Sequence, residues 1–174
     1  MNIHRVVIVF ALSAFIAGCY LPISGRVLDA ETQQPIEGAV VLVEWTKTHG
    51  FGEYWTESYK VVETLSDKDG VVKIAGCYSP FVNVPDVTVY KEGYVAWNNK
   101  AIYPEYIKRS DFKWANGFSA KLIPFDGKRY NHADHVLFIH GSIHYGLPGH
   151  SKELIENAIR GEELKSMEDK LKRK

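Results

Sequence analysis

Several things are scarce in this chain. A surplus of charge of either sign is one: 21 lysines and arginines face 21 aspartates and glutamates, a formal net charge of zero. Nucleic-acid-binding domains normally carry a basic patch, so no nucleic-acid partner is expected. The closing KLKRK, coming after EELKSMED, reads as a solvated helix end. Long apolar runs are scarce too. Val6–Ala17, interrupted only by Ser13, is twelve residues long, whereas a membrane-crossing helix needs about 20. Cysteine is limited to Cys19 and Cys77. The sequence has no glycine-rich loop to cradle phosphate. It also has no Ser/His/Asp or Cys/His set at a usable spacing, so its motifs point away from an enzyme.

The short apolar run has a basic head, Arg5, and ends in small residues, the layout of an export signal with its apolar region of roughly 7–15 residues. Ile16-Ala17-Gly18-Cys19 then resembles the bacterial lipoprotein lipobox, aliphatic-small-small-Cys, at every position. The resemblance implies a diacylglycerol joined to the Cys19 thiol, removal of residues 1–18, and acylation of the new amine. Two or more acyl chains hold a protein on a membrane where one does not. A lipid-anchored protein of the cell envelope is therefore expected, with residues 19–22 as a short lipidated linker. Tyr20 stands where many inner-membrane lipoproteins carry aspartate, which favours the outer membrane if the source has two. With Cys19 acylated, a disulfide framework is excluded. Cys77, after the apolar run in VVKIAGCYSP, is expected as a small buried residue. Removing 18 of the 174 residues leaves 156, enough for one domain with a core.

From Ile23 the pattern has period two. GAVVLVEW puts Ala39, Val41, Val43 and Trp45 on one face and Val40, Leu42 and Glu44 on the other, a strand with one face well buried. ESYKVVETL, the Asp69-Gly70 turn inside SDKDGVVKIAG, DVTVYKEGY and GFSAKLIPF continue the series. The expectation is an all-β, six- to seven-stranded antiparallel sandwich over residues 23–124, with a helical extension over 125–174. Gly25, Val27, Asp29, Thr32, Pro35, Ile36, Gly38, Ala39, Val41, Asp67, Asp69, Gly70, Gly93 and Tyr94 fall in the pattern of the carboxypeptidase regulatory-like domain, which this stretch resembles. That resemblance implies a prealbumin-like (transthyretin-related) sandwich and a generally non-catalytic module.

The extension reads as two helices broken at Gly146-Leu147-Pro148-Gly149, with Ser151 placed to cap the second and Leu154, Ile155, Ala158 and Ile159 as its apolar stripe. Five of the seven histidines lie between His132 and His150. The pairs His132/His135 and His140/His144 have spacings that let one helix face share a metal ion. At about 100° per residue, however, they flank a stripe of Val136, Ile139 and Ile143, so lining a packed face is the favoured role. His150-Ser-Lys-Glu153 matches His-x-x-Glu only formally, because no histidine follows it. The hydroxyisourate hydrolases, a related sandwich, end in a Tyr-Arg-Gly-Ser that this chain lacks. Aromatic residues gather in two loops, and Tyr54, Trp55, Trp97, Tyr103, Tyr106 and Trp114 are the candidate surface for a partner protein or envelope glycan. The expected function is a lipid-anchored, non-enzymatic binding module, with no cofactor. The alternative is a periplasmic metal-binding protein using the His132–His150 segment.

Overall fold

The computed structural model describes residues 19–51, 53–143 and 152–172. The leader 1–18 with its Ile16-Ala17-Gly18, His144, the 146–149 break, His150 and Ser151 lie outside the described residues.

Seven strands form the two sheets of a β-sandwich. β2 (Ile23–Asp29) lies between β11 (Phe118–Leu122) and β5 (Val71–Ile74). The second sheet has the order β4 (Trp55–Leu65), β3 (Val40–His49), β7 (Asp86–Tyr90), β8 (Trp97–Asn98). Two short ribbons add β1 (Cys19–Tyr20) with β6 (Cys77–Tyr78), and β9 (Ala101–Ile102) with β10 (Ile107–Lys108). The antiparallel expectation fails at one pair. β11 runs parallel to β2, from Phe118 opposite Gly25 to Leu122 opposite Asp29. Parallel neighbours need a long crossover, and here that crossover is all the chain between them.

The sheets close over Val27, Ile74, Cys77 and Leu122 from one side and Val41, Trp45, Val89 and Trp97 from the other. The outer face of the four-stranded sheet is also apolar. Val40, Leu42 and Tyr90 pack against Phe138 and Ile139 of α1 (His132–Gly141) and Ile155 and Ile159 of α2 (Glu153–Lys172). β3 is therefore buried on both faces, not on one.

Sheet and helices share their end groups. The Asn131 side chain accepts from the Ala133 and Asp134 amides, at 2.8 and 3.2 Å, and caps α1. The first turn of α2 is capped by a strand: Glu63 of β4 accepts from the Leu154 and Ile155 amides at 3.0 and 2.8 Å. A carboxylate suits the positive end of a helix. One residue earlier, Lys152 forms a buried ion pair with Glu44 of β3.

The motif residues serve the fold. The Asp29 carboxylate accepts from the Thr32 and Glu31 amides, at 2.8 Å each, and from the Tyr94 hydroxyl at 3.0 Å, tying the first motif to the last. These bonds, led by the Thr32 amide, hold its pKa below the ordinary aspartate value against the opposing effect of burial. Gly70 has φ +69°, and a Cβ there would meet the Val27 carbonyl at 2.5 Å. A Cβ on Gly25 would lie 2.2 Å from the Phe118 ring across the parallel pair. Gly25→Ala should therefore lower unfolding stability by about 1–3 kcal/mol through overpacking, read as a reduced urea midpoint.

Candidate functional site

The histidines come first. His135 is fully buried, and its two ring nitrogens are both engaged. Nε2 accepts from the Ala96 amide at 2.8 Å. Nδ1 therefore carries the proton of the neutral ring and donates to Glu162 Oε1 of α2, at 2.8 Å. His132 Nδ1 reaches the same oxygen at 2.7 Å, and its ring stacks on Phe125, 4.5 Å between centroids. His140 pairs instead with Glu163, Nε2 to Oε1 at 3.0 Å. The candidate metal set is thus divided: His132 and His135 converge on a carboxylate, His140 lies with another, and His144 is outside the described residues. Among the described residues no group of three or more His, Cys, Asp or Glu side chains is placed to hold a metal ion. The expected edge position also needs correcting, because His135 sits inside the core and joins both helices to the sheet. Burial pushes the Glu162 carboxyl up, but the hydrogen bonds from His135 and His132 outweigh it, and its pKa stays below the ordinary 4.5.

The six candidate aromatics separate into three groups. Trp97 and Tyr103 are only 4% and 5% exposed. Trp97 lies in the sandwich core with the Arg109 guanidinium over its ring at 4.7 Å. Tyr103 packs among Tyr130, His135 and Phe138, and its hydroxyl donates to the Asn131 carbonyl at 3.2 Å. Neither can present a face to a partner, which corrects the sequence expectation. Trp114 is half-buried, edge-on to Tyr20 and Trp45, and its Nε1–H donates to the Leu21 carbonyl at 3.0 Å. Residues 19–22 are consequently not a loose linker: β1 is paired to β6 and pinned by Trp114. Tyr54, Trp55 and Tyr106 are exposed.

These exposed rings belong to two places. Tyr106 stands edge-on to Phe138 at the wall of a cleft of about 200 Å³ between α1 and the β8–β10 region. Asp86 and Lys100, paired at 2.5 Å, and Asn98 line the same cleft. Asn98 Oδ1 accepts from the Lys100 and Ala101 amides at 2.7 and 3.1 Å. The polar groups are thus bonded to their neighbours. Tyr54 and Trp55 sit at the tip of the β3–β4 hairpin. This is the end of the sandwich where β2 begins, and Trp55 stacks on His49 there. Sequence reading missed this cleft, since Asp86, Asn98 and Lys100 belong to no motif. It also missed the exposed Leu21, Tyr78 and Phe81 near the hairpin tip. The available signal was Phe81 in SPFVNVP, an aromatic residue in a proline-bounded loop.

Glu162 lends itself to a pH test. A carboxyl with a lowered native pKa contributes stability above its unfolded pKa, and that contribution is lost as pH falls through the native one. The wild type should lose stability with acidification below the ordinary 4.5. In Glu162→Gln the urea midpoint should be lower at neutral pH and its acid slope shallower. Asp29 contributes to the same limb, so the slope should not vanish.

No family model matches the chain, and no curated protein matches it. Solved structures similar to it include a streptococcal ancillary pilin (16% identity, 60% of this chain and 29% of that one, TM-score 0.31). A second is the C-terminal domain of a shaft pilin from Lactobacillus rhamnosus GG (16% identity, 62% and 98% covered, TM-score 0.32). A third is the group B streptococcus pilus 2b backbone protein (12% identity, 63% and 43% covered, TM-score 0.34). The chain thus spans less than a third of the ancillary pilin's length. Its own two packed sheets and helical layer establish an all-β sandwich with a C-terminal helical extension.

Proposed function

We propose that this protein is a lipid-anchored, non-enzymatic β-sandwich of the cell envelope, held by acyl chains on Cys19, that binds an envelope glycan or protein at the Tyr106 cleft. The observation that carries the reading is the position of Cys19. The residue of the lipobox-like motif that would receive the lipid opens a strand, β1, paired directly into the domain. No helix among the described residues is long and apolar enough to cross a membrane. The outer membrane is the favoured site if the source has two membranes. Membership of the carboxypeptidase regulatory-like family is part of the same proposal, supported by the structural duties of Asp29, Gly70 and Tyr94.

The cleft suits recognition more than turnover. An aromatic wall beside fixed polar groups matches the face and edge of a sugar ring, or a side chain of a partner. Lys100 is neutralised by Asp86, and the Asn98 carbonyl is occupied by backbone donors. The His132–Glu162–His135 knot favours packing over metal binding.

Two measurements test the proposal. Metabolic labelling with an alkyne-tagged fatty acid should mark the wild type and not Cys19→Ser, and equal labelling of both would refute the anchor. Affinity capture from intact envelopes should lose its bound glycan or protein in Tyr106→Ala with an unchanged urea midpoint. Capture unaffected by that substitution would remove the cleft as the binding site.

A further inference from the structure

One group of exposed apolar side chains comes from segments that meet at one end of the sandwich. Leu21, Tyr78 and Phe81 are 65%, 66% and 86% exposed, and Phe51, Tyr54 and Trp55 at the hairpin tip are exposed as well. They come from three separate segments, and contacts between those segments bring them together. Lys60 of β4 donates to the Gly76 carbonyl at 2.6 Å. A Cβ on Gly76 would in turn meet the Tyr20 carbonyl at 2.2 Å, so the β5–β6 turn lies against β1. The β6–β7 loop is bound beside β3, with Val82 bridged to Lys47 and Asn83 Nδ2 donating to the Thr46 and Thr48 hydroxyls at 2.9 and 3.0 Å. β1, the β6–β7 loop and the hairpin tip therefore form one rim, on which Phe81, at φ +62°, is exposed.

We infer that this rim seats in the interfacial region of a phospholipid bilayer and sets the domain's orientation on it, an inference that rests on the Cys19 anchor proposed above. Two observations select lipid as the occupant. The apolar segment Val6–Ala17 leads into Cys19, and Cys19 opens a strand at this same end. Whatever hydrophobic attachment Cys19 carries emerges at the rim. The composition also fits: tyrosine and tryptophan favour the membrane–water interface, where an apolar ring with a polar tip satisfies both sides. A lysine head also lies by the β3–β4 hairpin, with Lys47 Nζ 3.8 Å from the centre of the half-exposed Tyr59 ring. Such an ammonium group can reach lipid phosphates while its stem stays with apolar surface.

The test uses the full lipidated protein in vesicles of phosphatidylethanolamine and phosphatidylglycerol, with flotation and tryptophan fluorescence read on the same sample. Of the four tryptophans only Trp55 is largely exposed, at 58%. The expected result is flotation together with at least about twofold quenching of the Trp55 signal by lipids brominated near the headgroup, the depth at which interfacial tryptophan sits. That signal is the difference between wild type and Trp55→Phe. Tyr78→Asp with Phe81→Asp should still float but lose the quenching. Flotation with Trp55 open to aqueous iodide overturns the seating and leaves the anchor standing. Failure to float overturns both. Trp55 open in vesicles but shielded in native envelopes means that a protein covers the rim, and overturns the lipid assignment.

Discussion

The structure turns on β3 being buried from both sides. A strand with Val41, Val43 and Trp45 on one face and Val40 and Leu42 on the other cannot rest in a two-layer sandwich with one face wet. At about 25 cal/mol per Å² of apolar surface, leaving that outer face uncovered would forgo several side chains' worth of stabilisation. The helical extension is thus the third layer that completes the fold. Its docking is specified by polar contacts at defined points. Glu63 caps α2, Lys152 pairs with the buried Glu44, and Glu162 gathers His132 and His135 while Ala96 binds the far side of the His135 ring. Buried polar groups placed this way admit one arrangement, because any slip leaves a donor or acceptor without its bond.

Much of this was legible in the sequence, and the failures share a cause. Period-two alternation and the Asp69-Gly70 turn located the strands, because a turn with positive φ and a half-buried strand each impose a local requirement. That β3 has two inner faces was present in the letters, yet alternation alone does not say whether a second layer exists. The parallel pairing of β11 with β2 depends on the path of the whole chain and leaves no local mark. The aromatic loops were found as loops, but ring chemistry is the same inside and outside. Trp97 and Tyr103 filled the interior, while Tyr54, Trp55 and Tyr106 stayed out. The histidines show the same limit. Their spacing is equally suited to sharing a metal or a carboxylate, and the choice was made by Glu162, a residue 27 positions from His135 on another helix.

The exposed groups give the molecule a direction. β1, the β3–β4 tip and the β6–β7 loop lie at one end. α2 starts beside Glu44 and Glu63 and runs past Glu92 at the other, where Lys165 meets Glu92 at 2.9 Å. In the last turns of α2, Leu164, Met167 and Leu171 are exposed. The apolar rim and the Lys165–Glu92 contact of the helical tail therefore lie at different ends of the sandwich.

The shortness of the connection at Cys19 makes that direction consequential. Between Cys19 and Ile23, the first core residue, are three residues, and an extended chain covers about 3.3–3.6 Å per residue. A lipid on Cys19, as proposed above, would lie within roughly 15 Å of the sandwich core, and the β1–β6 pairing with the Trp114–Leu21 bond removes most of the freedom a linker of that length would have. A lipoprotein on a long polar tether can turn any face to the membrane. One whose acylated residue is the first residue of a paired strand can turn only the faces around that strand. Those faces carry Leu21, Tyr78 and Phe81, side chains that are costly to keep in water and at home in the interface. Under the proposed anchoring, tether geometry and surface chemistry would favour the same orientation.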